Sequence, residues 1–339
     1  MKRKFTYENI FFRKILYLFS LLLSVFFSSI NSSNLSAQQV FQSTNFQLDK
    51  YDINPAYAGM DNALNITSRY RNQWQGLPGN PSFLKLNTHL PLYSFSGGTG
   101  LQVWNQSIGY ESNVHFNLSY NQVFPLPFGL VSVGLRMGVI NKAINGDKFI
   151  SAFGNYENGA LEHNDDHIPR GRINSIAPSW GIGLYFFSKF TDFGIVLDEY
   201  PQVGFEIEGF KFRKRNSITI HWNYFLNLPE RTKMEAFLLL RSDFIQWQSE
   251  MGIAVHYEEN VFLSCQLRGY NENTLDAVSF GVGGMLNKKI RLAYNYDITL
   301  SKLSQVSNGA HEFQLSYFID VNFGKKIPEK IIHSPRLFE

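Results

Sequence analysis

Three groupings of side chains in the sequence could do chemistry. The densest is Glu162-His163-Asn164-Asp165-Asp166-His167, two histidines four residues apart among three carboxylates. Imidazole and carboxylate are zinc ligands, and on a helix that spacing would put both rings on one face. The surroundings argue otherwise: the stretch is rich in Gly and Asn, no cysteine is near, and no second ligand group stands at a recognisable spacing. It reads as a hydrated loop. No G-x-S-x-G elbow, phosphate-cradling loop or H-E-x-x-H occurs, so nucleophilic, nucleotide and zinc-protease chemistry lack a carrier. GVGG at 281–284 is not followed by a helix and reads as thinning one face of a strand. The expectation is no enzyme, no cofactor and no metal.

The second grouping is a pair of arginines at a spacing of two. Leu64, Ile66 and Tyr70 alternate with Asn65, Thr67, Arg69 and Arg71, so a strand aims both guanidiniums to one side. Asp297 and Asp320 lie on the polar faces of two alternating runs near the C-terminus, which neighbour the first strand if the sheet closes. The pattern predicts an interior ion-pair network, Arg69 and Arg71 with Asp297 or Asp320, holding the closure; gripping a partner is the other role open to them. In the third grouping Phe205, Ile207, Phe210 and Phe212 alternate with Glu206, Glu208 and Lys211. That is a hairpin with one apolar side, to be covered by a docking partner or packed over what lies beneath.

The elements that must position these groups repeat with a period of two. Val114, Phe116, Leu118 and Tyr120 alternate with His115, Asn117, Ser119 and Asn121, and the same rhythm recurs at 131–139, 218–224, 290–298 and 313–320. Strands are expected near 62–72, 81–90, 97–108, 111–124, 128–142, 172–188, 190–198, 213–226, 231–242, 245–257, 261–270, 275–286, 288–300 and 309–322. The chain is all-β, with about fourteen antiparallel strands, most of them long enough for the roughly 9–11 residues a tilted membrane strand needs. If the first strand runs outward, the turns after even-numbered strands are all short, while every long connection (QWQGLPGN, 143–171, 199–211, SKLSQVSN) falls on the other side. Outer-membrane barrels have that asymmetry, short periplasmic turns and longer outer loops. Charged residues are only 17% and aromatics 16%, the balance a lipid-facing β surface produces. Trp74, Trp104, Trp222 and Trp247 suit interfacial girdles.

The N-terminus specifies export. Lys2, Arg3, Lys4, Arg13 and Lys14 precede an apolar run from Ile15 to Ile30 and then Leu35-Ser36-Ala37, a signal peptide cleaved after Ala37. With Cys265 alone, no disulfide staples the chain, and that side chain is expected to pack as a small apolar one. A net charge of +3 is too small to argue for nucleic acid. Next comes NPAYAG: Pro55 fixes its own φ and pushes Asn54 out of helix, while Ala56, Ala58 and Gly59 let the backbone, with Tyr57, run close to a wall. Residues 38–60 are expected in or under the barrel mouth.

NPAYAG followed by RYRNQWQGLPGNPSF, then GTGLQVWNQSIGY, and near the end RLAYNYDITLSKLSQVSNGAHEFQLSYF, together resemble the PorP/SprF family of outer-membrane proteins. That family belongs to the type IX secretion and gliding machinery of Bacteroidetes. The resemblance covers the mature chain as far as Phe323. It implies a barrel in the outer membrane, set in lipid, that supports export or surface anchoring of a cognate secreted protein, often an adhesin with a type B C-terminal sorting domain. It also implies contact with periplasmic and outer-membrane components of the secretion or motility apparatus. The expected organisation is a signal peptide at 1–37, an N-terminal plug-like or periplasmic segment at 38–61, the barrel at 62–323 and a basic periplasmic tail at 324–339. A channel for small or hydrophobic solutes is the alternative, distinguished by an open lumen. An outer-membrane barrel enzyme is a third class, and the residues for it are missing.

Overall fold

The protein is described from a computed structural model. It covers residues 43–321 apart from 157–161, 166–167, 200–203, 208–209, 214–215, 259 and 271–273, with the backbone alone at 204–207, 210–213, 270 and 274. The expected signal peptide, the tail at 324–339, Asp166 and His167 lie outside the described residues.

The strands are β1 (Leu64–Asn72), β2 (Ser82–Leu92), β3 (Gly97–Ile108), β4 (Glu111–Leu126), β5 (Gly129–Asn145), β6 (Arg172–Phe187), β7 (Thr191–Asp198), β8 (Gly204–Ile207), β9 (Phe210–Arg213), β10 (Ser217–Leu228), β11 (Thr232–Ser242), β12 (Trp247–Tyr257), β13 (Val261–Tyr270), β14 (Thr274–Asn287), β15 (Ile290–Thr299) and β16 (Ala310–Ile319). Fourteen of them close into an antiparallel barrel, each beside its sequence neighbour except that β7 pairs with β10 and β1 with β16; β8 and β9 form a separate hairpin. The closing seam runs from Leu64↔Ile319 to Asn72↔His311. β10 begins at Ser217 rather than near 213 because Phe210–Arg213 is the second arm of that hairpin.

Alternation determines which way each face looks. Along β4 Asn117 is 4% exposed, whereas its neighbour Leu118 is 55% exposed. Leu135, Met137, Leu263, Phe280 and Phe313 are exposed in the same way. An outer surface of this kind would drive association in water; facing lipid it is the stable arrangement, with polar side chains kept for the lumen. Trp222 and Trp247 follow the rule and face outward. Trp104 does not: it turns inward, stacks on His115 at 3.3 Å between centroids and meets Phe83 at 5.4 Å. It is therefore a lumen residue rather than part of an interfacial girdle, because its position on β3 shares parity with Gly100 and Gln102.

The connections sort as expected. At one end β2–β3, β4–β5, β6–β7, β10–β11, β12–β13 and β14–β15 are joined by short turns, and 146–171, 199–216 and 300–309 lie at the other. The short-turn end is periplasmic in barrels of this kind. The wall is uneven in height: β4, β5 and β6 have 16, 17 and 16 residues, and β7 has 8.

Candidate functional site

The lumen is filled by the chain's own N-terminal segment, and every residue from Ser43 to Met60 is buried. This plug is a series of single 3-10 turns, Phe46–Leu48, Lys50–Asp52 and Pro55–Tyr57. Local chemistry sets each break. Asn45 takes the left-handed conformation at φ 52° ahead of the first turn. Asn54 caps the third, its Oδ1 accepting from Ala56 N at 2.9 Å, with Pro55 at the first position where its missing N–H costs nothing.

The NPAYAG residues sit on the wall. Asn54 Nδ2 donates to Leu184 O at 3.0 Å and lies 3.2 Å from His221 Nε2. Asn121 Nδ2 donates to Ala56 O at 2.6 Å. The inward faces of Gly134 and Gly183 meet Pro55, Ala56 and Asn54 so closely that a Cβ on either glycine would collide with them. Tyr57 donates to Asp61 Oδ1 at 2.7 Å and stands edge-on to Tyr185. Gly59 is required twice over: its φ is +75°, and a Cβ there would lie 2.8 Å from Leu90 O.

Toward the long-loop end, charge replaces shape. Thr44 N donates to Glu312 Oε2 at 3.0 Å, and Thr44 Oγ1 donates to Asp297 Oδ1 at 3.3 Å while accepting from Arg71 at 2.9 Å and Arg268 at 3.2 Å. Arg71 is paired with Asp297 at 2.5 Å and Glu312 at 3.3 Å; Arg268 is paired with Asp297 at 2.8 Å and Glu250 at 3.3 Å. Two residues along β1 toward the short-turn end, Arg69 Nη1 donates to Ser43 and to Asp52, its Nη2 donates to Gln314 at 2.8 Å, and its Nε stands 3.5 Å from Glu312 Oε1. Lys85 also pairs with Asp52, and nearer the short-turn end Lys50 of the plug pairs with Asp192 at the start of β7. These groups are nearly all under 10% exposed, so each carries the desolvation cost of a buried charge and needs its partner.

Of the residues singled out in the sequence, Arg69, Arg71 and Asp297 come together here, and Asp320 does not. Asp320 is exposed beyond the last residue of β16 at the short-turn end, whereas Arg69 and Arg71 stand opposite Gln314 and Glu312. Period two assigns a face but not a height along the barrel. Asp320 bears instead on Tyr93 in the β2–β3 turn, whose phenol is held above its ordinary pKa by burial first and then by that carboxylate. Glu312 and Arg268 are among the residues sequence reasoning missed. Both occupy inward positions of alternating strands, a signal that was present. Asp52 and Lys50 had none, because the plug is aperiodic.

The lumen also holds three apolar seats that an expectation of a polar interior overlooks. Tyr51, Ala56, Tyr57 and Met60 pack with Val123, Leu130, Tyr185 and Phe187; Phe46 and Ile53 with Phe237, Leu239 and Ala254; Leu48 with Phe262 and Ala293. The arrangement is chemically suited to holding a peptide segment in place.

In the outer regions, the register of the β8–β9 hairpin pairs Phe205 with Phe212 and Ile207 with Phe210; their side chains lie outside the described set. In the 146–171 loop, Glu162 makes a backbone bridge to Asn155, and the His163 ring contacts Tyr156 OH at 2.9 Å. Among the described residues no group of three metal-capable side chains is gathered.

Comparison with known proteins bears on the whole chain. No curated protein shows significant sequence similarity to it. Among solved structures, the CymD monoaromatic hydrocarbon channel is 10% identical with a TM-score of 0.51, covering 86% of this chain and 96% of that one. The toluene transporter TbuX of Ralstonia pickettii is 11% identical at a TM-score of 0.46 (80% and 93% covered), and Omp33 of Acinetobacter baumannii 6% identical at 0.43 (77% and 99%). At these identities the likeness is of fold alone. The family model for the type IX secretion system membrane protein PorP/SprF matches residues 35–317. A match of that length, over the plug and almost all of the closed barrel, makes this chain a member of the PorP/SprF family of type IX secretion system membrane proteins.

Proposed function

We propose that this barrel serves as an outer-membrane support for the export or surface anchoring of a cognate secreted protein, an adhesin-like partner with a type B C-terminal domain, and that it contacts the secretion and gliding components around it. The observation that carries the reading is the filled lumen. A segment buried from Ser43 to Met60 and tied to the wall through Thr44, Lys50, Asp52 and Asn54 leaves the barrel as a scaffold, with partner contacts made at its ends and outer surface. The outer hairpin β8–β9, carrying Phe205, Ile207, Phe210 and Phe212, and the 146–171 loop are the docking candidates. We assign Arg69, Arg71 and Asp297 to holding plug and closure together, and no residue to catalysis. The signal peptide at 1–37, the periplasmic tail at 324–339 and the lack of any cofactor belong to the same reading.

The test is a pull-down of the tagged full-length protein from native outer membranes in mild detergent, beside a variant lacking residues 199–212. The expected result is one large secreted protein that is lost with the loop; recovery of the barrel alone in both preparations overturns stable anchoring. The solute-channel reading shares its fold with hydrocarbon channels and requires the plug to leave, so planar-bilayer conductance of the intact chain separates the two.

A further inference from the structure

Among the described residues, the backbone pairing of the wall stops short beside β6. β6 pairs with β5 along its whole length, Arg172 to Phe187, but with β7 only from Gly181 to Phe187. Two bonds fix which groups of the upper half point outward from the ladder. Gly146 N donates to Gly171 O at 2.8 Å on the β5 side, and Glu199 N donates to Trp180 O at 2.9 Å on the β7 side. In an antiparallel strand, residues of one parity direct both N–H and C=O to the same neighbour. Even-numbered residues of β6 therefore face away from β5: Asn174 and Ile176 present both groups, and Pro178 its carbonyl alone. Among the described residues no backbone pairs with them; β8 lies beside β6, but its ladder is to β9 only.

The break is a built feature. Glu199 takes φ +60° and turns the chain off the edge, and its buried carboxylate accepts from Ser179 Oγ at 2.6 Å, fixing the turn against β6 itself. Pro178, the lowest open position, has no N–H to leave unpaired, as is usual on a strand edge. Height matters too. The outward apolar run on β6, Phe186, Leu184, Ile182, Trp180, Pro178 and Ile176, gives way to Asn174, so the edge opens at the top of the lipid-facing band. Ile176 is 66% exposed.

We propose that the upper edge of β6, Asn174–Pro178, is a strand-addition site that takes an extended segment of the secreted partner at the outer surface of the membrane. The proposal rests on the anchoring function above and supplies its mode of contact. Donors and acceptors about 6.7 Å apart along an extended edge match the backbone of another strand. A lipid chain offers no such row of groups.

Proline and alanine at one position separate backbone pairing from side-chain contact. In the full-length protein in its native outer membrane, Ile176→Pro and Asn174→Pro each remove an outward N–H without touching the β5 ladder, and Ile176→Ala keeps it. The partner is the protein whose surface attachment is lost in a strain without this chain. Each proline variant is expected to shift that protein from the envelope to the medium by roughly fivefold, the weight of one backbone hydrogen bond, with Ile176→Ala unchanged. Retention in both proline variants, or equal release by Ile176→Ala, overturns strand addition while leaving the anchoring function standing. No protein depending on the chain at all overturns both. Hydrogen exchange covers the case in which the proline variants fail to assemble. The Asn174 and Ile176 amides of the purified wild-type protein should exchange fast and slow at least tenfold when it is purified with its partner. Slow exchange in the protein alone assigns the edge to β8, or to a second copy if its mass is that of a dimer, and overturns the proposal; so does fast exchange in both preparations.

Discussion

The two ends of the plug are held by different physics. Around Asn54-Pro55-Ala56 the wall is thinned by Gly134 and Gly183 and faced by Tyr185, so that the fit is one of volume, with neutral hydrogen bonds from Asn121 and to Leu184. Around Thr44 two wall carboxylates, Asp297 and Glu312, and two arginines converge on one hydroxyl and one amide, with Glu250 behind Arg268. The first seat tolerates no added atom, and the second tolerates no lost charge. Together they fix the segment at both ends, where either alone would leave it a pivot.

Removing residues 43–60 breaks both seats at once and has the largest expected effect. It strips partners from Arg69, Arg71, Lys85 and Asp192, and it should give a barrel that conducts in planar bilayers where the intact chain is closed. A closed deletion variant would mean that other parts of the chain seal the lumen. Next in size is Glu312→Gln, which leaves two buried guanidiniums short of charge; about 3–5 kcal/mol of stability should be lost, read from the urea midpoint of the folded barrel on gels. A double-mutant cycle with Arg71→Met should recover part of that loss. If the two changes add independently, the charged seat is not a coupled unit.

Gly134→Ala tests the other seat. The new Cβ meets Ala56, and overpacking should cost about 1–3 kcal/mol without altering the charged end. Cysteine-accessibility labelling at Thr44 should stay low in this variant and rise in Glu312→Gln, and the reverse order would invert the comparison. Asn54→Ala removes a cap and should cost about 1 kcal/mol by the same urea assay. Asp320→Asn is expected to leave the midpoint unmoved, since that carboxylate is exposed and away from both seats. A loss there matching that of Glu312→Gln would restore it to the closure network.

Much of the barrel could be read from the chain. Val114 to Tyr120 and Phe313 to Ile319 show their faces by alternation, and the uneven lengths of the connections distinguish the two ends. Arg69 and Arg71 could be placed in the lumen for the same reason, since lipid rejects their charge. Trp104 faces the lumen rather than a girdle, and an aromatic on a strand is ambiguous until its parity is fixed by its neighbours. Asp320 could not be placed for want of register: it shares parity with Glu312 but stands eight residues further along the seam, past the end of β16, and only Glu312 is level with Arg71.

By itself, the sequence determined the number and direction of the strands, the apolar outer band and the need for Asn54, Pro55 and Gly59 in a tight path, because these follow from local periodicity and backbone stereochemistry. The tertiary structure alone decided which acids meet which arginines, that Phe46, Leu48 and Tyr51 find apolar seats in an otherwise polar lumen, and that β6 rises above β7 with no backbone among the described residues paired to that edge. Those outcomes depend on strand stagger and on contacts between residues up to 268 positions apart, which no local pattern encodes.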